Sequence, residues 1–237
     1  MVDVHSTRVP SAVRSHSDSA SHSAPLPPSA LAHQFDDIEQ QHAADELGIW
    51  LFLATEIMFF GGMFLAYAVY RRQDEAAFTA ASSKLDIGLG AINTAVLLCS
   101  SLTMALAVHA AETAQRKHLI ALLVLTMILG TLFLGIKGYE YHHKYEVGLM
   151  PLAGFPFVWE GPSAGHAQMF FNLYFVMTGV HALHMLIGLG VLTVLAIKAL
   201  RGGLLGEFAT PVNITGLYWH FVDIVWVFLF PFLYLVR

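Results

Sequence analysis

The sequence predicts an all-α protein: an integral membrane bundle of five transmembrane helices behind a disordered N-terminal tail. Three observations predict it. Of 237 residues, 56% are hydrophobic and only 12% charged, against about 25% charged in a soluble domain, and the mean hydropathy is +0.61. The apolar residues gather into five blocks, each approaching or exceeding the ~20 residues a helix needs to cross a bilayer. Those blocks are continuous rather than alternating, which excludes the pattern of a membrane barrel.

The tail comes first, residues 1–45. From Ser11 to Ala30 it is rich in Ser, Ala, His and Pro and has no apolar core of the ~7–15 residues that a secretory signal requires. Such a composition cannot bury enough surface to fold. Its histidines (His5, His16, His22, His33, His42) are irregularly spaced and read as solvated rather than metal-binding. The transmembrane domain, residues 46–237, then contains spans at about 46–70, 88–110, 118–140, 168–198 and 214–236. Glu112 to Lys117 joins the second and third spans, so those two helices are expected to lie antiparallel and adjacent. The long connection from Tyr141 to Ala167 carries Pro151, Gly154, Pro156 and Pro162. It is too broken for a helix, and it is expected along the membrane surface or under a partner. No internal repeat is visible, which weakens a transporter reading built on inverted repeats. Basic residues divide evenly between the two sides, so the positive-inside rule does not orient the chain.

Other classes drop out quickly. The net charge of −5 comes with no basic stripe for nucleic acid. The single cysteine, Cys99, permits neither an intrachain disulfide nor a thiolate cluster. No phosphate-binding glycine loop, nucleophile elbow or CxxC motif is present.

What remains is a set of polar side chains at hydrocarbon depth, which are costly there unless they face protein or water. Glu56 lies ~13 Å into the first span at 1.5 Å per residue. It could serve as a structural hydrogen bond, or as a proton relay or lipid-facing carboxyl. Gly61 and Gly62 follow it and leave room for a close helix or lipid. His181 and His184 are three apart and share a face with Gly188. Two histidines so placed could begin a metal site, completed by His220 and Asp223, or could bond between helices; the small neighbours Gly179, Ala182 and Gly188 favour the second. His220 and Asp223 form an i,i+3 pair in which the imidazole could donate to the carboxylate. Trp219 and Trp226, seven apart, read as packing. At the end of the third span Glu140 and Lys144 stand in the favourable i,i+4 order, with Glu140 also able to face inward, while the adjacent His142 and His143 diverge. Asn93 could bond across to a neighbouring helix.

These residues carry a family resemblance. The runs Thr55-Glu56-Ile57-Met58-Phe59-Phe60, Asn93-Thr94-Ala95-Val96-Leu97-Leu98, Arg116-Lys117-His118, Gly138-Tyr139-Glu140-Tyr141, Thr178-Gly179-Val180-His181-Ala182-Leu183-His184 and Tyr218-Trp219-His220-Phe221-Val222-Asp223-Ile224-Val225-Trp226 stand in order. From about Glu46 onward the chain resembles subunit III of the haem–copper terminal oxidases, in a five-span bacterial form. The resemblance implies a non-catalytic subunit of a respiratory cytochrome c oxidase, with haem and copper in partner subunits and none bound here. It implies packing against subunit I, with subunit II and a small subunit IV as further partners. It also implies bound phospholipid, proton uptake supported by Glu56, and a bacterial inner-membrane location with the N-terminus cytoplasmic and the C-terminus periplasmic. The seven-span form encloses a lipid cleft between its first two and last five helices; this chain lacks the first pair, so a partner would have to complete that cleft. Glu at 56 with Asn93-Thr94 points to cytochrome c as donor; a quinol oxidase or nitric oxide reductase subunit and a small transporter are the alternatives.

Overall fold

The computed structural model describes residues 38–151, 157–202, 204–206 and 209–236. Most of the expected tail, and the centre of the connection after the third span, lie outside them. The described residues are almost entirely helical and contain no strand. The helices are α1 (Ile38–Gln73), α2 (Glu75–Ser82), α3 (Ile87–Glu112), α4 (Arg116–Glu146), α5 (Ala164–Leu200) and α6 (Thr210–Phe230), ending in a π-helical turn, Pro231–Leu235. Five of them are long and apolar enough to cross a membrane.

Two boundaries differ from the expectation for one reason. Hydropathy marks only the part of a helix that meets lipid. Helix α1 begins at Ile38 and α4 runs on to Glu146, because Glu, Gln, Ala and Lys are good helix formers whether or not lipid surrounds them. The short helix α2 was not anticipated. Asp74 makes it by accepting the Ala77 amide at 3.0 Å as its N-cap. Asp86 opens α3 in the same way, accepting from Leu89 at 3.1 Å.

Helices α3 and α4 are antiparallel neighbours across a tight turn, as their short connection requires. The turn passes through Ala114 at φ +55°. Arg116 then reaches over to the C-terminus of α5, where its guanidinium donates to the carbonyls of Ala199, at 3.1 Å, and Leu200. That satisfies orphan acceptors at the helix end. Pro211 sits at the start of α6, where its missing N–H costs nothing. Pro231 follows the last residue of α6 and opens the π-turn.

The core lies among α3, α4, α5 and α6. Trp219 and Trp226 are fully buried there. Their indole N–H groups donate to Ser100 Oγ at 3.1 Å and Thr94 Oγ1 at 3.0 Å. Gly130 and Gly188 flank Trp219; a Cβ on either would meet its ring at 3.0 and 2.8 Å. The helices approach through these two glycines.

Helix α1 is attached differently. Leu53, Phe60 and Tyr67, seven apart, are its buried residues. Aromatic rings carry the contact: Phe60 against Phe221 at 6.2 Å, Phe64 against Phe232 at 5.2 Å, and Tyr67 against Phe78 at 5.5 Å. Much of the rest of its surface, including Trp50, Ile57, Met58 and Phe59, is exposed.

Candidate functional site

The inward stripe of α1 carries Glu56, thirteen residues into the span that starts at Ala43, or ~20 Å along the axis at 1.5 Å per residue. Its Oε2 lies 3.2 Å from Nε2 of His184 on α5. The two atoms are in ion-pair range, though their orientation falls outside hydrogen-bond geometry. Both side chains are mostly covered, 17% and 13% exposed. The ring of Phe60 packs 5.4 Å from the imidazole. Tyr218 of α6 donates to the His184 carbonyl at 2.9 Å, so three helices meet here.

The tautomer follows from the backbone. His184 Nδ1 is 2.9 Å from the Val180 carbonyl, which can only accept, so Nδ1 carries a hydrogen. Nε2 therefore faces Glu56 with a lone pair unless a second proton arrives. One proton shared by the two groups serves either arrangement: a neutral carboxyl against a neutral ring, or a carboxylate against an imidazolium. The geometry thus allows the two groups to share one proton. The site's other features are apolar. Beside it a groove of about 260 Å³ opens between α1 and α6, lined by Ile57, Gly61 and Phe64 and by Ile224, Val225 and Phe228.

His181 does not join His184. It is fully buried, with its ring 5.4 Å from Phe133 and 5.2 Å from Trp226. Its two nitrogens have no partner among the described residues. Among those residues no three His, Cys, Asp or Glu side chains converge as a metal site would require. Asn93 is 1% exposed, and its amide likewise finds no direct partner among the described residues.

The expected His220–Asp223 contact is replaced. His220 Nδ1 lies 2.7 Å from Ser101 Oγ on α3, and neither Asp223 oxygen has a direct partner meeting strict geometry among the described residues. The hydroxyl of α3 competes successfully for the ring. The expected Glu140–Lys144 pair is replaced as well. Lys144 Nζ donates to the Lys84 carbonyl at 2.6 Å, while Glu140 pairs with Lys137 at 2.9 Å. Lys137 Nζ also donates to Tyr174 at 3.1 Å and Tyr234 at 2.8 Å. The Tyr234 hydroxyl donates back to both Glu140 oxygens, at 2.6 and 2.8 Å. Glu140 does face inward, at 4% exposure. Lys137, Tyr174 and Tyr234 were not singled out from the sequence. The available signal was a lysine within the predicted third span, three residues before Glu140.

Known proteins match this chain in sequence. A family model for cytochrome c oxidase subunit III matches residues 39–148 and 158–236. A probable cytochrome c oxidase subunit 3 of Nocardia farcinica is 31% identical over 211 residues, covering 89% of this chain and 97% of that protein. A quinol oxidase subunit 3 of Bacillus subtilis is 31% identical over 191 residues, covering 80% of this chain and 86% of that protein. A probable quinol oxidase subunit 3 of Staphylococcus haemolyticus is 28% identical over 192 residues, covering 81% and 89%. These matches set the transporter alternative aside. With five membrane-length helices and a buried acid against the α5 histidine, the chain belongs to the cytochrome c oxidase subunit III family, the third subunit of haem–copper oxidases.

Proposed function

We propose that this chain is the non-catalytic third subunit of a respiratory oxygen reductase that uses cytochrome c, and that it packs on subunit I, holds phospholipid and supports proton uptake. The Glu56–His184 pair carries the reading. An acid and an imidazole 3.2 Å apart at hydrocarbon depth can share one proton, and that supports the proton role. Haem and copper belong to the partner subunits in this reading; subunit II and a small subunit IV complete the complex. The open groove between α1 and α6 is the place for a lipid acyl chain, since its walls are apolar and Gly61 leaves one side low.

Five crossings put the two termini on opposite sides. The N-terminus is cytoplasmic and the C-terminus periplasmic, in a bacterial inner membrane. Glu at 56 and Asn93-Thr94 support cytochrome c as donor. Names among the relatives favour quinol as the second reading.

The test is Glu56→Gln in the purified complex. It is expected to assemble normally and to show slower proton uptake or a shorter active lifetime during turnover. Wild-type turnover and lifetime would reject the proton role. Oxidation rates with reduced cytochrome c and with a quinol decide the donor.

A further inference from the structure

We infer that the turn closing α6, Pro231–Leu235, is a three-way clasp that seats α1 and α2 on the bundle, and that Tyr234 and Ser82 are thereby positioning residues for the Glu56–His184 pair. The clasp fixes where Glu56 is held, whether or not that residue carries a proton.

The turn is π-helical, a rare conformation that often marks a functional demand on the backbone. Pro231 opens it and has no N–H for the ladder of α6. Successive residues of a helix point to different sides, and three in a row here meet three different elements. The ring of Phe232 packs 5.2 Å from that of Phe64 and 6.1 Å from that of Tyr67, both on α1. The Leu233 carbonyl, one of those a helix end leaves without a partner, accepts from Ser82 Oγ of α2 at 2.8 Å. The Tyr234 hydroxyl accepts from Lys137 of α4 at 2.8 Å and donates to Glu140 at 2.6 Å. Ser82, Leu233 and Tyr234 are all fully buried. Gly90 of α3 makes the room: a Cβ there would meet the Phe230 ring at 2.8 Å and the Tyr234 ring at 3.1 Å.

The strongest of these holds anchors the other two. Tyr234 is bonded to a charged pair, and such bonds are about twice as strong as neutral ones. Phe232 and Leu233 belong to the same short turn, so the place of Tyr234 sets theirs. Helix α1 needs this hold, because little of its apolar length is buried. Glu56, Phe60, Phe64 and Tyr67 are spaced four, four and three apart and share one face. Phe60 packs against the His184 ring, and Phe78 of α2 closes on Tyr67 at 5.5 Å. A helix seated by the clasp at Phe64 and Tyr67 therefore presents Glu56 to His184, and Ser82 holds the same seat through α2.

Amide hydrogen exchange of the purified complex in lipid discs, with infrared spectroscopy of the same samples, tests the clasp. Tyr234→Phe removes one hydroxyl and keeps the ring. It is expected to speed exchange across 67–82 about tenfold, the equivalent of one hydrogen bond to a charged partner, while the α3–α4 turn at the opposite end keeps its wild-type rate. Ser82→Ala is expected to speed the same residues about fivefold. Against a background of Lys137→Met with Glu140→Leu, where no charge needs the hydroxyl, Tyr234→Phe is expected to add nothing. The carboxyl absorption that Glu56→Gln deletes is expected to shift in Tyr234→Phe and in Ser82→Ala, which a purely local contact would not produce. If Tyr234→Phe fails to assemble, Ser82→Ala carries the test, since it removes a single oxygen. Wild-type exchange across 67–82 in the variants that assemble, or an undiminished effect of Tyr234→Phe in the uncharged background, would overturn the clasp. An unmoved Glu56 absorption would overturn the positioning of the pair, whatever the turnover of the complex.

Discussion

Two acid–base pairs in this bundle are built in opposite ways. At Lys137–Glu140, all three ammonium hydrogens have acceptors: Glu140, Tyr174 and Tyr234. Both carboxylate oxygens accept from Tyr234, Oε2 in addition to Lys137. The side chains are 5% and 4% exposed, and the rings of Tyr174 and Trp226 each stand 5.0 Å from the ammonium. At Glu56–His184 the acid has one close polar neighbour, the helix that carries it is mostly open, and both side chains are partly exposed. The same contrast runs through the helices. Of the most apolar window of each, 11% is buried for α1 and 56% for α6. A saturated pair fixes structure. A pair with spare valence at a loosely held helix fixes less, which leaves room for the proton role proposed above.

Breaking the saturated pair should have the largest effect. Lys137→Met strands Glu140 and two tyrosine hydroxyls in low dielectric. Removing one member of a buried ion pair typically costs about 3–5 kcal/mol. The expected outcome is a large fall in the thermal midpoint of the complex or a failure of this subunit to assemble. The double variant Lys137→Met with Glu140→Leu should recover most of the loss, because no uncompensated charge remains. A single variant as stable as wild type would erase the contrast between the pairs.

The glycines sharpen the comparison at the next level. A Cβ at Gly188 would meet the Trp219 ring at 2.8 Å, whereas one at Gly61 meets nothing within 4 Å. Gly188→Ala is expected to destabilise by about 1–3 kcal/mol, the usual range for overpacking. Gly61→Ala should leave the unfolding midpoint of the complex nearly unchanged. Equal losses at the two sites would show that α1 is held as tightly as the core.

How much of this could be read in advance depends on range. The five spans were legible because lipid selects long continuous apolar runs, and Trp219 and Trp226 declared a packing face by their spacing. The partner of each polar group was not legible. Glu140 has Lys137 on one side and Lys144 on the other at helical spacing, and the local acid-first rule favours Lys144, which is not the partner it takes. The choice was made by Tyr234, 94 positions away, and by the Lys84 carbonyl that took Lys144. His220 was drawn from Asp223 by Ser101, 119 positions away. Likewise His181 and His184 share a face on paper, yet one is enclosed by Phe133 and Trp226 while the other turns to α1. Local spacing says which residues are polar at depth; the long-range packing decides what they touch.

The smallest expected effect lies at the membrane surface, where α1 turns into α2. The Asp74 carboxyl accepts from the Ser163 hydroxyl and the Ala77 amide and lies 3.2 Å from His166 Nδ1. The Ser163 hydroxyl first, then the amide and the imidazole, hold its pKa below the ordinary 3.8. A carboxyl with a depressed folded value contributes stability that is present above its unfolded value and lost as pH falls through the folded one. Asp74→Asn should therefore be less stable than wild type above about pH 4, and the difference should close as the pH is lowered further. The carboxyl stays partly open to solvent, so the effect is small and screened by salt. Unfolding midpoints of wild type and variant, followed down the acid limb at low and high salt, check both statements. Parallel curves would mean that Asp74 acts as a helix cap alone, with an uncharged amide serving as well.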